Sequence, residues 1–419
     1  MTQKAPSTSL RKDIRDRLDR IGSADIILGV PAYNNENTIG SVVEKLTTGV
    51  REKFPDRSAV LLVSDGGSLD DTREAARNAH APDDIPVLVS IYRGLAGKGT
   101  ALRSVFEAGS HLNAAAGMVV DSDMRTWPAE WTRRHLQPVL ENDMDLMTPR
   151  YLRHKYDATI TNNVCFPLTS VLYGREIRQP IGGDFAFSGD MMKFYASQDQ
   201  WDTDTARFGI DIWMTTSALC EGYNVGQTHL GAKIHDPKDP GESLGQMFKE
   251  VVGTLFRIAG KYREHWWDVD SIEPVPTYAD PLDADPEPVP VNRPSLANKA
   301  FRLWRNRRNT CRKHLSEETF ADVDAVLSTF ESDRIEGFLT PGLWSRVLYE
   351  CLASFNLSGL DRGELMKSMI PLYFARTWSL YNEMDPMLEE EAEQYFHQLL
   401  GHFKNKKDSL RERWRLLES

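Results

Sequence analysis

Four short apolar segments, each followed by a polar or glycine-rich turn, constrain the fold of this chain more than any other feature. They are Asp25–Val30, Ala59–Ser64, Ile85–Tyr92 and Gly117–Val120. The stretches between them, near residues 37–53, 70–80 and 100–115, carry helical patterns. Short apolar runs are typical of strands buried on both faces, and strands that alternate with helices form parallel sheets with right-handed crossovers. The sequence therefore predicts an α/β fold with a mostly parallel sheet.

The second half of the chain has a different sequence pattern. Alternation becomes irregular after Pro149, although Leu230–His235 still has the pattern of a strand. A proline-rich, acidic stretch near Glu273–Pro294 is followed by helical patterns, with helix starts predicted at Thr340-Pro341 and Asp385-Pro386. We predict an N-terminal tail with a short helix over 1–24, a sheet domain over 25–270, a linker over 271–296 and an all-α domain over 297–419.

Composition excludes several classes of protein. The net charge of −11 leaves no global basic field for nucleic acid. The four cysteines are scattered without a CxxC pair, which argues against a disulfide scaffold and fits a reducing cytoplasm. The polar first twenty residues do not resemble a signal peptide, and no apolar run is long enough to span a membrane. We expect a cytoplasmic protein without a transmembrane segment, and a homo-oligomer remains open.

The sharpest candidate for chemistry is Asp121-Ser122-Asp123, directly after the fourth predicted strand. In open α/β sheets, ligands bind beyond the carboxyl ends of the parallel strands. Two carboxylates at such an end can share a divalent cation and a diphosphate, and their hard oxygen atoms suit Mg²⁺ or Mn²⁺. A turn that merely ends the strand is the alternative interpretation.

Other strand ends carry weaker candidates. Lys98 lies in the glycine-rich loop Gly94–Gly99 and can contact phosphate, or be a solvated lysine in a flexible loop. Ser64-Asp65 begins a turn that can contact a base or ribose, or be a plain turn. Tyr33 and Glu36, after the first strand, leave the same alternatives open.

Candidates after the sheet pattern extend this set. His235 ends the last predicted strand and is either structural or a third metal ligand beside carboxylates. Asp211 starts a helix, where a carboxylate also interacts favourably with the helix dipole. A basic cluster near Arg150 forms either a solvated face or a pocket for a small carboxylate or phosphate; its other members are Arg153, His154 and Lys155.

Together these motifs resemble the GT-A nucleotide-sugar glycosyltransferases. The resemblance is strongest to retaining enzymes of the mannosylglycerate, glucosylglycerate and glucosyl-3-phosphoglycerate synthase kind. It covers about residues 25–262. Its marks are Val30–Glu36, Ser64–Gly66, Gly97–Gly99 with Ala101–Arg103, Asp121–Asp123, Asp157–Thr161, Gln179–Asp184, Gly209–Asp211 and Ala232–His235. Two departures are Asp184, where related sequences often have Glu, and the poorly matched loop Arg150–Tyr156, which leaves glycerate and 3-phosphoglycerate both open as acceptors.

The resemblance implies transfer of glucose or mannose from a UDP-, GDP- or ADP-hexose to D-glycerate or a similar small carboxylate, with retention of the anomeric configuration and dependence on Mg²⁺ or Mn²⁺. It implies four groups of site residues. The metal ligands are Asp121, Asp123 and His235; the donor contacts are Pro31, Tyr33, Glu36, Ser64, Asp65, Lys98, Asp121, Ser122, Gly182 and Gly183; the catalytic residues are Asp184 and Asp211; the acceptor contacts are Arg150, Thr159, Thr161 and Asp211.

Three other functions remain open at this point. An inverting GT-A transferase with a lipid or polysaccharide acceptor would use Asp184 or Asp211 as a general base. A sugar-phosphate nucleotidyltransferase would share the sheet, but the first strand is followed by Pro31–Asn35 and not by the GxGxR-type loop usual in that class. A nucleotide-sugar binding module without activity is the third alternative.

Overall fold

The computed structural model describes residues 7–234, 244–331 and 337–419. The chain divides into two compact units. The sheet unit contains the described residues of 1–152, 177–237 and 275–287, and the helical unit contains those of 153–176, 238–274 and 288–419. Among the described residues, no helix is both long enough and apolar enough to cross a membrane.

The strands of the described chain are short. They are β1 (Ile26–Ala32), β2 (Ala59–Asp65), β3 (Val87–Ile91), β4 (Ala116–Val119), β5 (Leu146–Leu152), β6 (Arg175–Glu176), β7 (Phe185–Ser188), β8 (Val225–Ala232), β9 (Glu273–Pro274) and β10 (Thr277–Tyr278). The sheet unit holds one sheet in the order β10-β8-β5-β7-β4-β1-β2-β3. Strand β7 is antiparallel to β4 and β5, and the other pairs are parallel. The predicted α/β fold with a mostly parallel sheet is therefore confirmed.

Helices connect these strands and make up the rest of the chain. They are α1 (Lys12–Ile21), α2 (Ile39–Lys53), α3 (Thr72–Arg77), α4 (Lys98–His111), α5 (Ala129–Glu141), α6 (Phe166–Tyr173), α7 (Gly189–Ser197), α8 (Ile210–Cys220), α9 (Leu244–Lys261), α10 (Arg263–Trp266), α11 (Arg293–Arg312), α12 (Glu317–Ser328), α13 (Pro341–Leu357), α14 (Arg362–Met384), α15 (Glu389–Lys404) and α16 (Lys407–Glu418). A π-helix, Thr161–Cys165, precedes α6, and short 3₁₀ turns lie at Asp204–Ala206 and Thr329–Glu331. The C-terminal region is helical, as predicted.

The core of the sheet unit follows the alternation of side chains along the strands. Ile26, Leu28 and Val30 of β1 pack in one apolar cluster with Val42 and Leu46 of α2. On the other face a Cβ at Gly29 would lie 2.5 Å from a methyl carbon of Val105 on α4, so only a glycine lets that helix approach so closely. Both faces of β1 are therefore covered, which explains its uninterrupted apolar sequence.

The sheet edge at β3 is covered by the N-terminal segment. Arg11 Nε donates to the carbonyl oxygen of Ile91 (2.7 Å), and Arg17 of α1 donates to that of Val87 (3.4 Å). The backbone amide of Arg93 donates to the Ser9 carbonyl (2.8 Å). Unpaired edge groups invite intermolecular strand pairing, so these contacts protect the edge. The predicted short N-terminal helix is α1.

Unit boundaries differ from the predicted domain boundaries. Residues 153–176 and the described part of 238–274 belong to the helical unit, and 275–287 belong to the sheet unit. The reason lies in α6 and α9, whose predominantly buried side chains pack against other helices of that unit. The proline-rich stretch adds β10 to the sheet beside β8 and packs Leu282 against its core.

Two further predictions are corrected. Asp385-Pro386 does not begin a helix: α14 ends at Met384 and α15 begins at Glu389, where the Glu391 carboxylate accepts from the backbone amide of Leu388 (2.7 Å). The Asp385 carboxylate binds Arg293 and Tyr156 instead. The strand predicted at 230–235 is β8, which runs from Val225 to Ala232; residue 235 lies outside the described residues. The first half of this strand is not an apolar run, because it contains the buried Gln227, whose side-chain amide donates to Thr277 Oγ1 (3.0 Å). An apolar pattern therefore does not indicate this part of the strand.

Candidate active site at the strand ends

The direction of β7 brings two acidic loops together. The carboxyl ends of the parallel strands meet at one edge of the sheet, and antiparallel β7 begins there, with Phe185 opposite Val119 of β4. Asp121 follows β4, and Asp184 precedes β7. The backbone amide of Asp121 donates to Asp184 Oδ1 (2.8 Å). The order of strands also reverses at this edge, since β1 has β4 on one side and β2 on the other, and such a switch point is where α/β sheets bind ligands.

Five charged side chains form an ion cluster at this edge: Lys98, Asp121, Asp184, Asp211 and Lys233. Lys98 Nζ lies 2.8 Å from Asp121 Oδ1 and 3.2 Å from Asp211 Oδ2. Lys233 Nζ lies 2.9 Å from Asp184 Oδ2 and 3.3 Å from Asp121 Oδ2. Asp121 is therefore held between two ammonium groups, and it links the two halves of the cluster.

Burial and neighbouring charges shift the pKa of two residues in the ion cluster, Lys98 and Asp211. Burial lowers the pKa of Lys98, but the attraction of Asp121 and Asp211 outweighs it, so the pKa is raised and the ammonium stays charged. For Asp211 burial raises the pKa, and the neighbouring Lys98 only partly offsets this. Asp211 Oδ1 is buried with no hydrogen-bond partner among the described residues. This oxygen is the acceptor in the cluster that is free for a ligand hydroxyl group.

Gly182 and Gly183, both predicted donor contacts, lie against the cluster. Their carbonyl oxygens accept from Lys233 Nζ (3.0 Å) and Lys98 Nζ (3.1 Å), respectively. A Cβ at Gly183 would lie 2.3 Å from Asp121 Oδ2, and its φ of +95° disfavours other residues. At Gly182 a Cβ would lie 2.2 Å from Pro149 Cγ. Both positions therefore require glycine, Gly183 because its backbone lies against charged side chains and Gly182 because it packs against Pro149.

The glycines around Lys98 have a packing role. A Cβ at Gly97 would lie 2.6 Å from the Ala206 carbonyl oxygen, and one at Gly99 would lie 1.9 Å from that of Thr205. The amide of Gly97 donates to the Tyr92 hydroxyl (2.8 Å), and that of Gly99 donates to the Arg207 carbonyl (3.2 Å). These two backbone amides therefore already have hydrogen-bond partners within the protein. The loop contributes the Lys98 side chain to the ion cluster.

The turn after β2 is closed by its own aspartate. Asp65 is fully buried, and its carboxylate accepts from the amides of Gly67 and Ser68 (both 3.0 Å) and from Arg73 Nη1 (2.9 Å). The hydroxyl of neighbouring Ser64 is buried without a hydrogen-bond partner in the described chain. Ser64 therefore keeps free hydrogen-bonding capacity at this strand end, whereas Asp65 holds the turn.

The loop after β1 supplies an exposed aromatic ring. Pro31 is buried within β1 opposite Ser64, and Tyr33 is 58% exposed beside Gly66. Glu36 accepts from the backbone amide of Asp71 (3.0 Å), so it ties this loop to the one after β2.

The predicted acceptor residues are divided between the two units. Arg150, on β5, and Asp211 belong to the sheet unit, whereas Thr159 and Thr161 belong to the helical unit. Thr159 Oγ1 lies 2.6 Å from the Tyr373 hydroxyl, and Thr161 begins the π-helix. Both threonines are nearly fully buried. Within the helical unit Arg153 pairs with Asp157 (2.9 Å).

The metal prediction rests on Asp121, Asp123 and His235. His235 lies outside the described residues. Within residues 7–234, 244–331 and 337–419, no three His, Cys, Asp or Glu side chains are grouped closely enough to hold a metal ion. The chemistry of the edge nevertheless fits a divalent cation. Three carboxylates of the ion cluster, Asp121, Asp184 and Asp211, lie at this edge, and carboxylate oxygens are the ligands that Mg²⁺ and Mn²⁺ prefer.

Sequence reasoning missed two residues that contact Asp184. The sequence could have indicated Lys233, because this residue immediately follows β8 and therefore lies at the same sheet edge as Lys98. Tyr151 donates its hydroxyl to Asp184 Oδ2 (2.7 Å). Nothing local marks Tyr151, since only the pairing of β5 with β7 brings it to Asp184.

The sheet and its ion cluster define an α/β protein with a group of paired charged side chains at the strand ends. No family model and no curated protein sequence matches the chain. Among solved structures, it is similar to glucosyl-3-phosphoglycerate synthase from Mycobacterium tuberculosis. The complex with Mn²⁺, UDP and glucosyl-3-phosphoglycerate is 22% identical with a TM-score of 0.45, over 60% of this chain and 85% of that one. The complex with Mg²⁺ and UDP has the same identity and TM-score over 62% and 86%.

A further similar structure is described as a mycobacterial protein; it is 24% identical with a TM-score of 0.45, over 59% of this chain and 78% of that one. At these values the likenesses carry no statement about the substrate or reaction of this chain.

The contact between Gly183 and Asp121 gives a prediction for stability. We expect Gly183→Ala to lower the free energy of unfolding by about 3 kcal/mol, because it adds a clash with a charged group to the strain of a positive φ. Gly222 is the matched control, since its φ is +80° and a Cβ there would meet nothing within 4 Å. Gly222→Ala should lose only about 1 kcal/mol. Urea unfolding measures both, and equal losses would contradict the close contact.

Proposed function

We propose that this protein is a metal-dependent, retaining glycosyltransferase that moves glucose or mannose from a nucleotide diphosphate sugar to D-glycerate or a similar small carboxylate. The observation that carries the proposal is the ion cluster, which lies at the switch point of the sheet and joins residues from five of the motifs that resemble the GT-A enzymes. Those motifs are Gly97–Gly99, Asp121–Asp123, Gln179–Asp184, Gly209–Asp211 and Ala232–His235.

Donor binding is assigned to the strand-end loops. The Tyr33 ring would stack on the nucleoside, and the Ser64 hydroxyl would bond to it, since it has no partner in the described chain. Lys98 would add positive charge beside the diphosphate, exchanging part of its contact with Asp121 for a contact with phosphate oxygen. Asp123 and His235 would hold the divalent cation. When bound, the cation would neutralise the charge that develops on the departing nucleotide.

Transfer requires the acceptor hydroxyl and the sugar to be held in line. Asp211 would accept a hydrogen bond from one of them through Oδ1, while Oδ2 stays with Lys98. Asp184 already accepts from the Asp121 amide, Tyr151 and Lys233, so its role is to hold Asp121 and not to attack the sugar. Without a carboxylate placed as nucleophile, the departing phosphate would help deprotonate the acceptor hydroxyl on the same face.

We assign the acceptor carboxylate to Arg150 of the sheet unit. A guanidinium can bind a carboxylate through two parallel, charge-assisted hydrogen bonds, which an uncharged acceptor cannot form. Glycerate and 3-phosphoglycerate both carry this group.

One observation favours an inverting transferase as the second candidate. Asp211 Oδ1 is buried and has no partner in the described chain, and burial raises the pKa of this carboxyl group. Such a group can act as a general base on an acceptor hydroxyl. The anomeric configuration of the product distinguishes the two reactions, because a base acting from the opposite face inverts it.

The Lys98 assignment predicts a ligand-dependent loss. We expect Lys98→Ala to weaken UDP binding by about ten-fold, or about 1.4 kcal/mol, since a charge-assisted contact to phosphate is lost. Uridine without phosphates should bind the variant and the wild type equally. Lys193→Ala is the control, because Lys193 is exposed and pairs only locally with Asp190. Calorimetric titration measures these affinities, and an equal loss for UDP and uridine would mean that Lys98 acts only in the fold.

The acceptor assignment is tested by competition. With UDP-, GDP- or ADP-glucose or -mannose and Mn²⁺, we expect transfer to D-glycerate or 3-phosphoglycerate at least ten-fold faster than transfer to glycerol or a neutral sugar, because Arg150 would pair with the acid. Proton NMR of the anomeric signal gives rate and configuration together. Preference for glycerol or the neutral sugar would defeat the carboxylate pocket, and absence of transfer from every donor would defeat the proposed function.

A further inference from the structure

Ser122 lies between Asp121 and Asp123 and anchors the turn that carries them. Ser122 is buried with 7% exposure, and the next alternate residue, Met124, is fully buried. Asp121 and Asp123 alternate with them and remain partly exposed. The direction of both carboxylates therefore depends on how firmly Ser122 is fixed.

Two residues of the loop before α2 fix Ser122. Its hydroxyl donates to Asn35 Oδ1 (2.8 Å), and its carbonyl oxygen accepts from Thr38 Oγ1 (2.7 Å). Asn35 is itself anchored on both sides. Its Oδ1 also accepts from the amide of Tyr33 (3.0 Å), and its own amide donates to Thr72 Oγ1 (2.7 Å).

The side chain of Thr38 contacts Ser122 and does not cap its own helix. Thr38 is the residue before α2, yet its side chain makes no capping bond to a backbone amide of the first turn. A threonine in this position usually satisfies such an amide. Here the hydroxyl is directed to a carbonyl oxygen 84 residues further along the chain.

We propose that Thr38 and Asn35 are positioning residues that hold Ser122 and thereby aim the carboxylates of Asp121 and Asp123. They act through Ser122 and do not touch a ligand. The functional consequence, a change in the affinity of the site for a divalent cation with nucleotide, rests on the proposed function. The structural part of the proposal, the ordering of the 121–125 turn, stands independently of any ligand.

The test removes one hydroxyl without changing the shape of the side chain. Thr38→Val should raise hydrogen exchange of the amides in a peptide spanning 118–126 and weaken Mn²⁺-dependent UDP binding by about ten-fold, as outer-shell losses at metal sites do. Thr38→Ser keeps the hydroxyl and should restore both. Ser122→Ala removes the bond to Asn35 and should act in the same direction as Thr38→Val.

Thr47→Val is the matched control. Thr47 lies on α2, is fully buried and bonds only to backbone carbonyls of its own helix, Val43 at 2.9 Å and Glu44 at 3.1 Å. The Thr47→Val variant should show the same hydrogen exchange at 118–126 and the same UDP affinity as the wild type. Unchanged exchange in Thr38→Val, or an equal rise in Thr47→Val, would overturn the proposal. Faster exchange in a protein whose wild type binds no UDP would keep the positioning role and refute the proposed function.

Discussion

The site depends on one partly exposed carboxylate held between two ammonium groups. Asp121 contacts Lys98 through one oxygen and Lys233 through the other, and these lysines extend to Asp211 and Asp184. Buried charges are tolerated only where they are paired and hydrogen-bonded, so none of the five can be removed without leaving a partner uncompensated. The same pairing keeps Lys98 charged despite its burial. The proposed binding of a nucleotide diphosphate therefore requires Lys98 to exchange part of its pairing with Asp121 for phosphate oxygen.

The fold supplies the positions that this pairing requires. Antiparallel β7 starts at the edge where the parallel strands end, which places Asp184 beside the amide of Asp121. Gly183 lets the backbone approach Asp121 and Lys233 at a distance that no Cβ would permit, and Gly182 does the same against Pro149. Helix α8 presents Asp211 in its first turn, and α4 presents Lys98 as its first residue. Each charged group is thus fixed by an element terminus and not by a long flexible loop.

Local sequence patterns predicted the parallel strands β1 to β4 and four of the five residues that form the ion cluster. The runs at β1 to β4 are apolar because both faces of the sheet are covered, so strand ends and the residues after them could be identified directly. Lys98, Asp121, Asp184 and Asp211 were among the residues singled out, and they meet in the ion cluster. Tyr151 and Lys233 were missed, because their contact with Asp184 depends on the neighbours of β5, β7 and β8. The domain boundaries differ for a similar reason: α6 and α9 are apolar helices whose partners are remote in sequence.

The central claim is that the strand-end cluster binds a nucleotide diphosphate together with a divalent cation. Calorimetric titration of UDP into the wild type, with and without Mn²⁺, tests it most directly when Asp123→Asn and Asp190→Asn are titrated alongside. Asp190 is an exposed aspartate whose local partner is Lys193, so it serves as the charge-matched control. We expect Mn²⁺ to tighten UDP binding at least ten-fold in the wild type and in Asp190→Asn, and to have no effect in Asp123→Asn. The same UDP affinity with and without Mn²⁺ in the wild type, or a full Mn²⁺ effect in Asp123→Asn, would contradict it.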